Sequence, residues 1–91
     1  MEYDADIFDA AEFGDLDTLK SYWSDQINID WQDLDGMDLV MTACKFGNKD
    51  IISYLLTLKP DLTKKNKKGQ TALDIALELN SKQIIDLFNE A

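Results

Sequence analysis

The chain has 91 residues, of which 45% are hydrophobic and 30% are charged, and its formal net charge at pH 7 is −9. This length and composition are typical of one small globular domain, which we expect to span residues 1–91. The sequence contains no histidine and a single cysteine, Cys44. These counts exclude an internal disulfide and the usual nucleophile pairs and zinc sites built from histidine and cysteine.

Marker residues recur along the whole chain at one fixed spacing. The step from Gly36 to Gly69 equals the steps from Ala10 to Ala43 and from Ala43 to Ala76. We call a set of positions related by this spacing a column. A fixed period of about 33 residues is the signature of stacked structural repeats. The sequence therefore predicts three repeats, of about residues 3–32, 33–65 and 66–91.

In the first repeat, the apolar residues between Asp4 and Phe13 fall on one side of a helix and the acidic residues fall on the other. The dipeptide Gly14-Asp15 follows. Glycine tolerates the left-handed conformation that ends a helix, and aspartate is a preferred N-cap for the next one. The second helix is predicted to run from Leu16 to about Ser24 and to bury Leu16, Leu19, Tyr22 and Trp23.

A long connection begins at Gln26 and leads to the second repeat at Asp33. Apolar and polar residues alternate from Ile27 to Asp30, which predicts a short extended segment. Trp31 is expected either to cover the neighbouring repeat or to anchor a partner. Tryptophan packs readily against loops, and it is also enriched among the hot spots of protein interfaces.

The second repeat supplies the predicted centre of the core. Its two helices are expected to begin after the N-cap residues Asp38 and Asn48, and Pro60 stops the second of them. The predicted core residues are Leu39, Val40, Ala43, Cys44, Ile51, Ile52, Leu55 and Leu56. In the third repeat the first helix begins after the N-cap residue Thr71, and the break between the two helices falls at Asn80-Ser81. It ends in a helix with one polar side, as a terminal repeat requires.

These features resemble the ankyrin-repeat family. The resemblance rests on Asp33-Leu34-Asp35-Gly36, Ala43 to Ile52, Leu55-Leu56, Asn66 to Ala76 and, in the first repeat, Ala10 to Asp17. It implies an all-α fold, an α-solenoid of three helix-turn-helix repeats with projecting β-turn or hairpin fingers. The family's Thr-Pro-Leu-His is replaced by Asp38-Leu39-Val40-Met41 and Thr71-Ala72-Leu73-Asp74. Without the histidine, we expect hydrogen bonds between repeats to be weaker, or to be made by Thr42, Asp74 or backbone groups.

The resemblance also implies a non-catalytic module that binds a protein through its concave face and its fingers. The residues of this sequence expected to contact the partner are Glu12, Phe13, Trp31, Leu34, Asp35, Met37, Lys45, Phe46, Lys67, Lys68, Gln70, Glu78 and Leu79. One column holds an apolar residue in all three repeats, namely Phe13, Phe46 and Leu79, and we call it the apolar column. It is expected either to contact the partner, because a recurring exposed apolar line suits an interface core, or to pack under the fingers.

Negative charge is concentrated in the first 36 residues, which contain eleven acidic residues and one lysine, Lys20. We expect these acids mainly to keep the protein soluble. Such asymmetry also attracts a basic partner and repels nucleic acid and anionic membranes. We therefore expect a protein partner, with a basic patch as one option, and neither a nucleic acid nor a membrane. The four lysines between residues 64 and 68 fit a solvated loop better than a nucleic-acid site.

Two other functions stay open at this point. The first is an inhibitory or regulatory subunit that masks the surface of an enzyme. The second is self-association, since Leu87 on the last helix has no following repeat to cover it, although a monomer is favoured over a homodimer.

No cofactor or metal is expected. Asp33-Leu34-Asp35-Gly36 resembles the middle of a calcium loop, but Trp31 and Thr42 stand where the first and last ligands of that loop belong. The single cysteine and the absence of a leader-like N-terminus predict a cytoplasmic protein, with the nucleus as a second location.

Overall fold

The computed structural model describes residues 5–23 and 27–90, and within these ranges the chain forms six α-helices and no β-strand. The helices are α1 (Ala5–Phe13), α2 (Leu16–Tyr22), α3 (Leu39–Lys45), α4 (Lys49–Thr57), α5 (Ala72–Leu79) and α6 (Lys82–Glu90). The predicted all-α class and the pairing of helices are confirmed. The expected helix limits at Asp4 and Ser24, and the start of the first connection at Gln26, lie outside the described residues.

A residue in the left-handed conformation separates the two helices of every pair, as predicted. Gly14, Gly47 and Asn80 have φ angles of 73°, 71° and 56°. In the first two pairs the next amide turns back to the helix that has just ended: Asp15 N–H donates to the Ala10 carbonyl and Asn48 N–H to the Ala43 carbonyl, both at 3.0 Å. The chain therefore leaves one helix and enters the next within two residues.

Side-chain N-caps begin most of the helices as the sequence predicts. The Asp15 carboxylate accepts the Thr18 N–H at 3.1 Å, and the Asp38 carboxylate accepts the Met41 N–H at 2.8 Å. Thr71 and Asp74 satisfy each other's backbone amides in a capping box at the start of α5. At α6, the Ser81 hydroxyl accepts the Ile84 N–H at 3.4 Å, the longest of these contacts.

The prediction that the side chain of Asn48 caps α4 is wrong. Asn48 precedes α4, but its side chain makes no capping hydrogen bond. Its amide nitrogen donates instead to the carbonyls of Ala11 at 2.7 Å and Glu12 at 2.9 Å. These two carbonyls belong to the last turn of α1, where no helical partner remains for them. Asn48 therefore connects the first helix pair to the second.

The core runs through the row of first helices and extends onto the second helices. Helix α3 lies at its centre, because it contacts α1, α4 and α5. The fully buried large side chains are Ile7, Leu19, Leu39, Val40, Met41, Cys44, Ile51, Ile52, Leu55 and Ile84. Burial, and to a lesser extent the charge of Asp38, raises the pKa of the Cys44 thiol to about 12. This thiol therefore stays protonated and unreactive at physiological pH.

The prediction that Tyr22 is buried is wrong, because its side chain is exposed. Helix α2 ends at Tyr22, and Trp23 already has the extended backbone angles φ −67° and ψ 131°. This change of direction brings the Trp23 ring edge-on to Tyr54 of α4, with 6.4 Å between the ring centroids. Trp23 and Leu16 are partly buried against the core.

The extended segment predicted from Ile27 to Asp30 is also replaced by another structure. The Trp31 N–H donates to the Asn28 carbonyl at 3.0 Å, and the Asn28 side chain accepts the Asp30 N–H at 2.9 Å. An asparagine side chain that binds its own backbone two residues later favours a turn over a strand. Ile27 and Ile29 still pack against the core, although both are only partly buried.

The two long connections end in β-turns at Asp33–Gly36 and Asn66–Gly69. Each turn is closed by a 2.9 Å bond from the glycine N–H to the carbonyl of its first residue, and both glycines have a φ of 78°. The turns also bond to each other, since the Lys67 N–H donates to the Asp35 carbonyl at 3.1 Å. The Gln32 side chain adds bonds to the carbonyls of Gly36 at 2.8 Å and Lys65 at 3.0 Å.

The expectation that Thr42 or Asp74 links the repeats is therefore wrong, whereas the expected backbone contribution is confirmed. The Thr42 hydroxyl donates to the Asp38 carbonyl one helical turn earlier, and Asp74 caps its own helix. Besides the backbone of the turns, the described side chains that form hydrogen bonds between helix pairs are Asp30, Gln32, Met37, Asn48, Asn66 and the exposed pair Lys49 and Gln83. Most of these are loop or cap residues, since helix backbones have no free donors to share.

The end of the row at α5 differs from its middle. Val40 and Cys44 of α3 are fully buried, because α5 packs over them. The residues in the same columns of α5 are Leu73 and Leu77, which are 38% and 52% exposed. Leu87 of α6 is partly buried. Among the described residues, nothing covers α5 as α5 covers α3.

Candidate functional site

Two adjacent depressions lie along the row of first helices and beneath the turns. The first, of about 250 Å³, lies between α1 and α3, and the second, of about 320 Å³, lies between α3 and α5. Asp35, Met37 and Lys45 line both depressions, which therefore form one continuous surface. A further depression of about 260 Å³ continues past Lys45, Ile75, Glu78 and Leu79.

The structure brings together nine of the thirteen residues that the sequence assigns to partner binding. The nine that line these depressions are Glu12, Asp35, Met37, Lys45, Phe46, Lys68, Gln70, Glu78 and Leu79. The periodicity explains this grouping, because positions one period apart occupy equivalent places on successive helices. Their contact with a partner remains a prediction.

The other four predicted residues do not line these depressions. Phe13 lies beside the row in a depression shared with Asp6, Asp9 and Tyr22, among others. Leu34 and Lys67 are exposed on the two turns. Trp31 is partly buried against the core, and its contact with a partner stays a prediction.

All three side chains of the apolar column are exposed in part. Phe13 is 75% exposed, Phe46 is 47% exposed and Leu79 is 43% exposed. The column is therefore only partly covered, and its contact with a partner stays a prediction. These side chains are exposed because each residue is at the C-terminal end of a first helix, where the chain turns away toward the second helix of the pair.

Several polar groups in the depressions are already held by neighbouring atoms. The Gln70 side-chain amide donates to the Glu78 carboxylate at 2.6 Å. The Asp33 carboxylate accepts the N–H groups of Asp35 and Met37, both at 2.9 Å, and so fixes the first turn. The Lys45 ammonium lies 5.6 Å from the centroid of the Phe46 ring, within the range of a cation–π contact.

Sequence reasoning missed several residues that line the depressions. Three of them, Asp9, Thr42 and Ile75, form a single column. The signal for this column was present, because these residues lie three positions before Glu12, Lys45 and Glu78 and thus share a helix face with them. Phe8 also lines the surface, as do Asp33 and Asn66, which are one period apart at the first positions of the two turns.

The described residues contain no group of three or more acidic or cysteine side chains arranged to hold a metal ion. None of the described helices is long and apolar enough to cross a membrane.

Paired short helices, repeated at one fixed period and joined by β-turns, define the class of helical repeat proteins. A family model described as ankyrin repeats, in three copies, matches residues 7–90. The chain belongs to the ankyrin-repeat family, and the resemblance seen in the sequence is confirmed. Members of this family are generally non-catalytic domains that bind other proteins.

Two curated relatives are similar over most of this chain. M-phase phosphoprotein 8 of Homo sapiens is 36% identical over 74 residues, which are 79% of this chain and 9% of that protein. Putative ankyrin repeat protein L271 of Acanthamoeba polyphaga mimivirus is 33% identical over 73 residues, which are 80% of this chain and 10% of that protein. The chain thus spans about a tenth of the length of these relatives.

A solved structure is similar over almost the whole chain. It is a complex of the predatory endopeptidase Bd0816 from Bdellovibrio bacteriovorus with the immunity protein Bd3460. One chain of this complex matches with a TM-score of 0.90 and 32% identity, over 98% of this chain and 47% of the matched one.

Proposed function

We propose that this chain is a non-catalytic protein-interaction module, and that its partner lies across the two depressions and the apolar column. In this proposal the three helix pairs stack as a solenoid, the turns project as fingers, and the depressions lie on the concave face. A stacked row of helix pairs presents an extended, pre-organised surface, which lowers the entropic cost of binding a partner.

The observation that carries the proposal is the exposure of Phe13, Phe46 and Leu79 along one line. Large apolar side chains that repeat on one face of a small protein are costly to leave in water. Met37 and Ile75 line the depressions next to them. Together these side chains supply the apolar centre that a specific interface needs, with charged residues around it.

The test is a pull-down from native lysate with two matched double variants. Phe46→Ala with Leu79→Ala removes two exposed apolar side chains from the proposed interface. Leu73→Ala with Leu77→Ala removes two from the far side of α5. Trp31 and Met37 are left intact because both pack against the core. All three chains are checked for folding by circular dichroism, and retained proteins are identified by mass spectrometry.

We expect the wild type and the Leu73/Leu77 variant to retain the same protein, and the Phe46/Leu79 variant to lose it while keeping its melting temperature. Equal retention by both variants would move the interface away from the apolar column. A large loss of stability in the Phe46/Leu79 variant would assign these residues to the core.

A second candidate function is inhibition of an enzyme, which the similar solved structure favours. That structure contains an endopeptidase bound to an immunity protein, so a chain of this fold occurs in a complex with an enzyme. The candidate predicts that the retained partner is an enzyme and that adding this chain in excess lowers its activity. An unchanged activity in the complex would favour a scaffolding role.

Self-association is a third candidate, favoured by the exposed Leu73 and Leu77. It predicts a mass in solution that rises with concentration and stays monomeric in the Leu73→Ala, Leu77→Ala variant. We expect the wild type to sediment as a monomer. The cytoplasmic or nuclear location stays a prediction.

A further inference from the structure

The two depressions differ in charge although they are neighbours. Four carboxylates and one ammonium group line the first depression, namely Asp9, Glu12, Asp33, Asp35 and Lys45. Two carboxylates and two ammonium groups line the second, namely Asp35, Glu78, Lys45 and Lys68. The first depression is therefore strongly negative, and the second is balanced.

Most of the negative charge in the first depression is unused by the protein itself. Within the described residues, the carboxylates of Asp9, Glu12 and Asp35 take part in no hydrogen bond and no ion pair. The ion pair found among the described residues joins Lys82 to Asp86 on α6, away from this depression. Asp33 differs, because its carboxylate holds the first turn. Three carboxylates are thus free to accept hydrogen bonds from a ligand.

Apolar surface begins where this negative region ends. Phe46 lines the first depression, Met37 lines both, and Ile75 lines the second, with Leu79 beyond it. A ligand that crosses from one depression to the other passes from free carboxylates to apolar side chains. The ligand must therefore present a positive charge to the first depression and an apolar side chain to the second.

We infer that the partner presents an extended segment in which a lysine or arginine enters the first depression and an apolar side chain lies over the second. This inference rests on the proposed function and names the chemistry of the partner. Packed helices lie about 8–10 Å apart, so the depressions on either side of α3 are separated by about that distance. An extended chain in the polyproline II conformation rises about 3.1 Å per residue with three residues per turn, so two side chains about three residues apart lie on the same face and span about 9 Å.

The charges favour this occupant over others. A polyphosphate backbone is repelled by the first depression, and a second copy of this chain adds another net charge of −9. A guanidinium or ammonium group, in contrast, finds three unpaired carboxylates beside an apolar surface. Charge-assisted hydrogen bonds of this kind are about twice as strong as those between neutral groups.

The test uses blocked Gly/Ser peptides with one charged residue and one leucine about three residues apart, the same-face spacing of the polyproline II conformation. One peptide carries arginine and its match carries glutamate at the same place. Each is added to ¹⁵N-labelled protein, and amide shifts are followed at low and high salt. The variant Asp9→Asn, Glu12→Gln, Asp35→Asn removes the free carboxylates. The variant Asp17→Asn, Asp50→Asn, Glu90→Gln makes the same charge change at exposed positions elsewhere.

We expect the arginine peptide alone to shift amides around both depressions, more weakly at high salt. Its affinity should fall about tenfold in the variant at residues 9, 12 and 35 and change little in the control variant. Equal binding of the glutamate peptide, equal loss in both variants, shifts confined to other surfaces, or no binding would each overturn the inference. A wild type that dimerises through these carboxylates would overturn it as well, by assigning the depression to a second copy.

The same variants separate this inference from the proposed function. If the protein captured from lysate is lost with Phe46→Ala and Leu79→Ala but retained without the three carboxylates, the inference fails and the proposed function stands. If neither pair of apolar substitutions affects capture, the proposed surface itself is wrong.

Discussion

Asp38 is the one carboxylate that is buried among the residues the structure describes. Its burial raises its pKa from the ordinary value of 3.8 to about 6, against the opposing effect of the Met41 N–H that it accepts; the charge of Asp30 raises the pKa further and Lys64 lowers it. Folding therefore favours the protonated form. The stability that this group contributes is fully present below about pH 4 and is lost as the pH rises through 6.

The replacement Asp38→Asn tests this linkage, because asparagine keeps an oxygen for the Met41 N–H but carries no charge. Between pH 4 and pH 7, the free energy of unfolding of the variant should rise relative to that of the wild type by about 3 kcal/mol. Urea unfolding at several pH values measures the difference, in which the titration of the many exposed carboxylates cancels. A difference that is independent of pH would show that Asp38 ionises freely in the folded chain.

Asn48 shows how one side chain can serve two helix pairs. Its amide nitrogen occupies the carbonyls of Ala11 and Glu12, and only a donor can do so. Asp15, in the same column, caps α2 by accepting the Thr18 N–H. The same column thus requires a donor at one repeat and an acceptor at the other.

Opposite substitutions in this column should therefore have unequal effects. Asn48→Asp directs a carboxylate at two carbonyl oxygens, and we expect it to lower the free energy of unfolding by about 3 kcal/mol. Asp15→Asn, which keeps a capping oxygen, should leave the urea midpoint nearly unchanged. Similar losses in the two variants would mean that Asn48 does not hold the first two helix pairs together.

At the scale of elements, the two β-turns are alike in backbone but different in surroundings. Gly36 and Gly69 both have a φ of 78°. A Cβ atom on Gly36 would lie 2.9 Å from the Lys67 nitrogen and 3.0 Å from the Asn66 Cα, whereas a Cβ on Gly69 would meet nothing within 4 Å. Only the first turn is covered by the next one.

The pair Gly36→Ala and Gly69→Ala separates backbone strain from this packing. Gly69→Ala should lower the free energy of unfolding by about 1 kcal/mol, which is the strain of an alanine in the left-handed conformation. Gly36→Ala should lower the free energy of unfolding by about 2 kcal/mol more than Gly69→Ala does, because backbone atoms of the second turn must move. Thermal unfolding of both variants gives the comparison. Equal costs would show that the turns do not press on each other.

Helix limits were predictable because the signals for them are local. A left-handed glycine or asparagine followed by a polar N-cap acts within a few residues of the chain. The turn at Asn28 and the exposure of Tyr22 were mispredicted because the sequence analysis inferred both from periodicity. Periodicity ranks residues by the face they occupy, but it does not report where a side chain binds its own backbone or where a helix ends about two residues early.

At the scale of the whole molecule, the core is continuous through α3 from one end to the other. Such continuity predicts a single cooperative unfolding transition, because no helix pair buries its apolar side alone. Trp23 and Trp31 follow the first helix pair along the chain, whereas Ile84 belongs to α6 of the third pair.

The variant Ile84→Ala tests this cooperativity. Ile84 is buried, so its truncation should lower the free energy of unfolding by about 3 kcal/mol. Tryptophan fluorescence and far-ultraviolet circular dichroism should shift to lower urea concentration by the same amount. Leu73→Ala, at a 38% exposed position, serves as the control and should shift both far less. An unchanged fluorescence midpoint in Ile84→Ala would show that the two ends unfold separately.

The sequence by itself determined the number of helices, their pairing and the alignment of the apolar column. The fixed period and the caps that mark it are properties of the chain alone. Only the tertiary structure decided that Asp38 is buried and that Asn48 binds the last turn of α1. These features depend on atoms from different helix pairs that meet only after the pairs have packed, and the desolvation and hydrogen bonding that result have no counterpart in the pattern of residues.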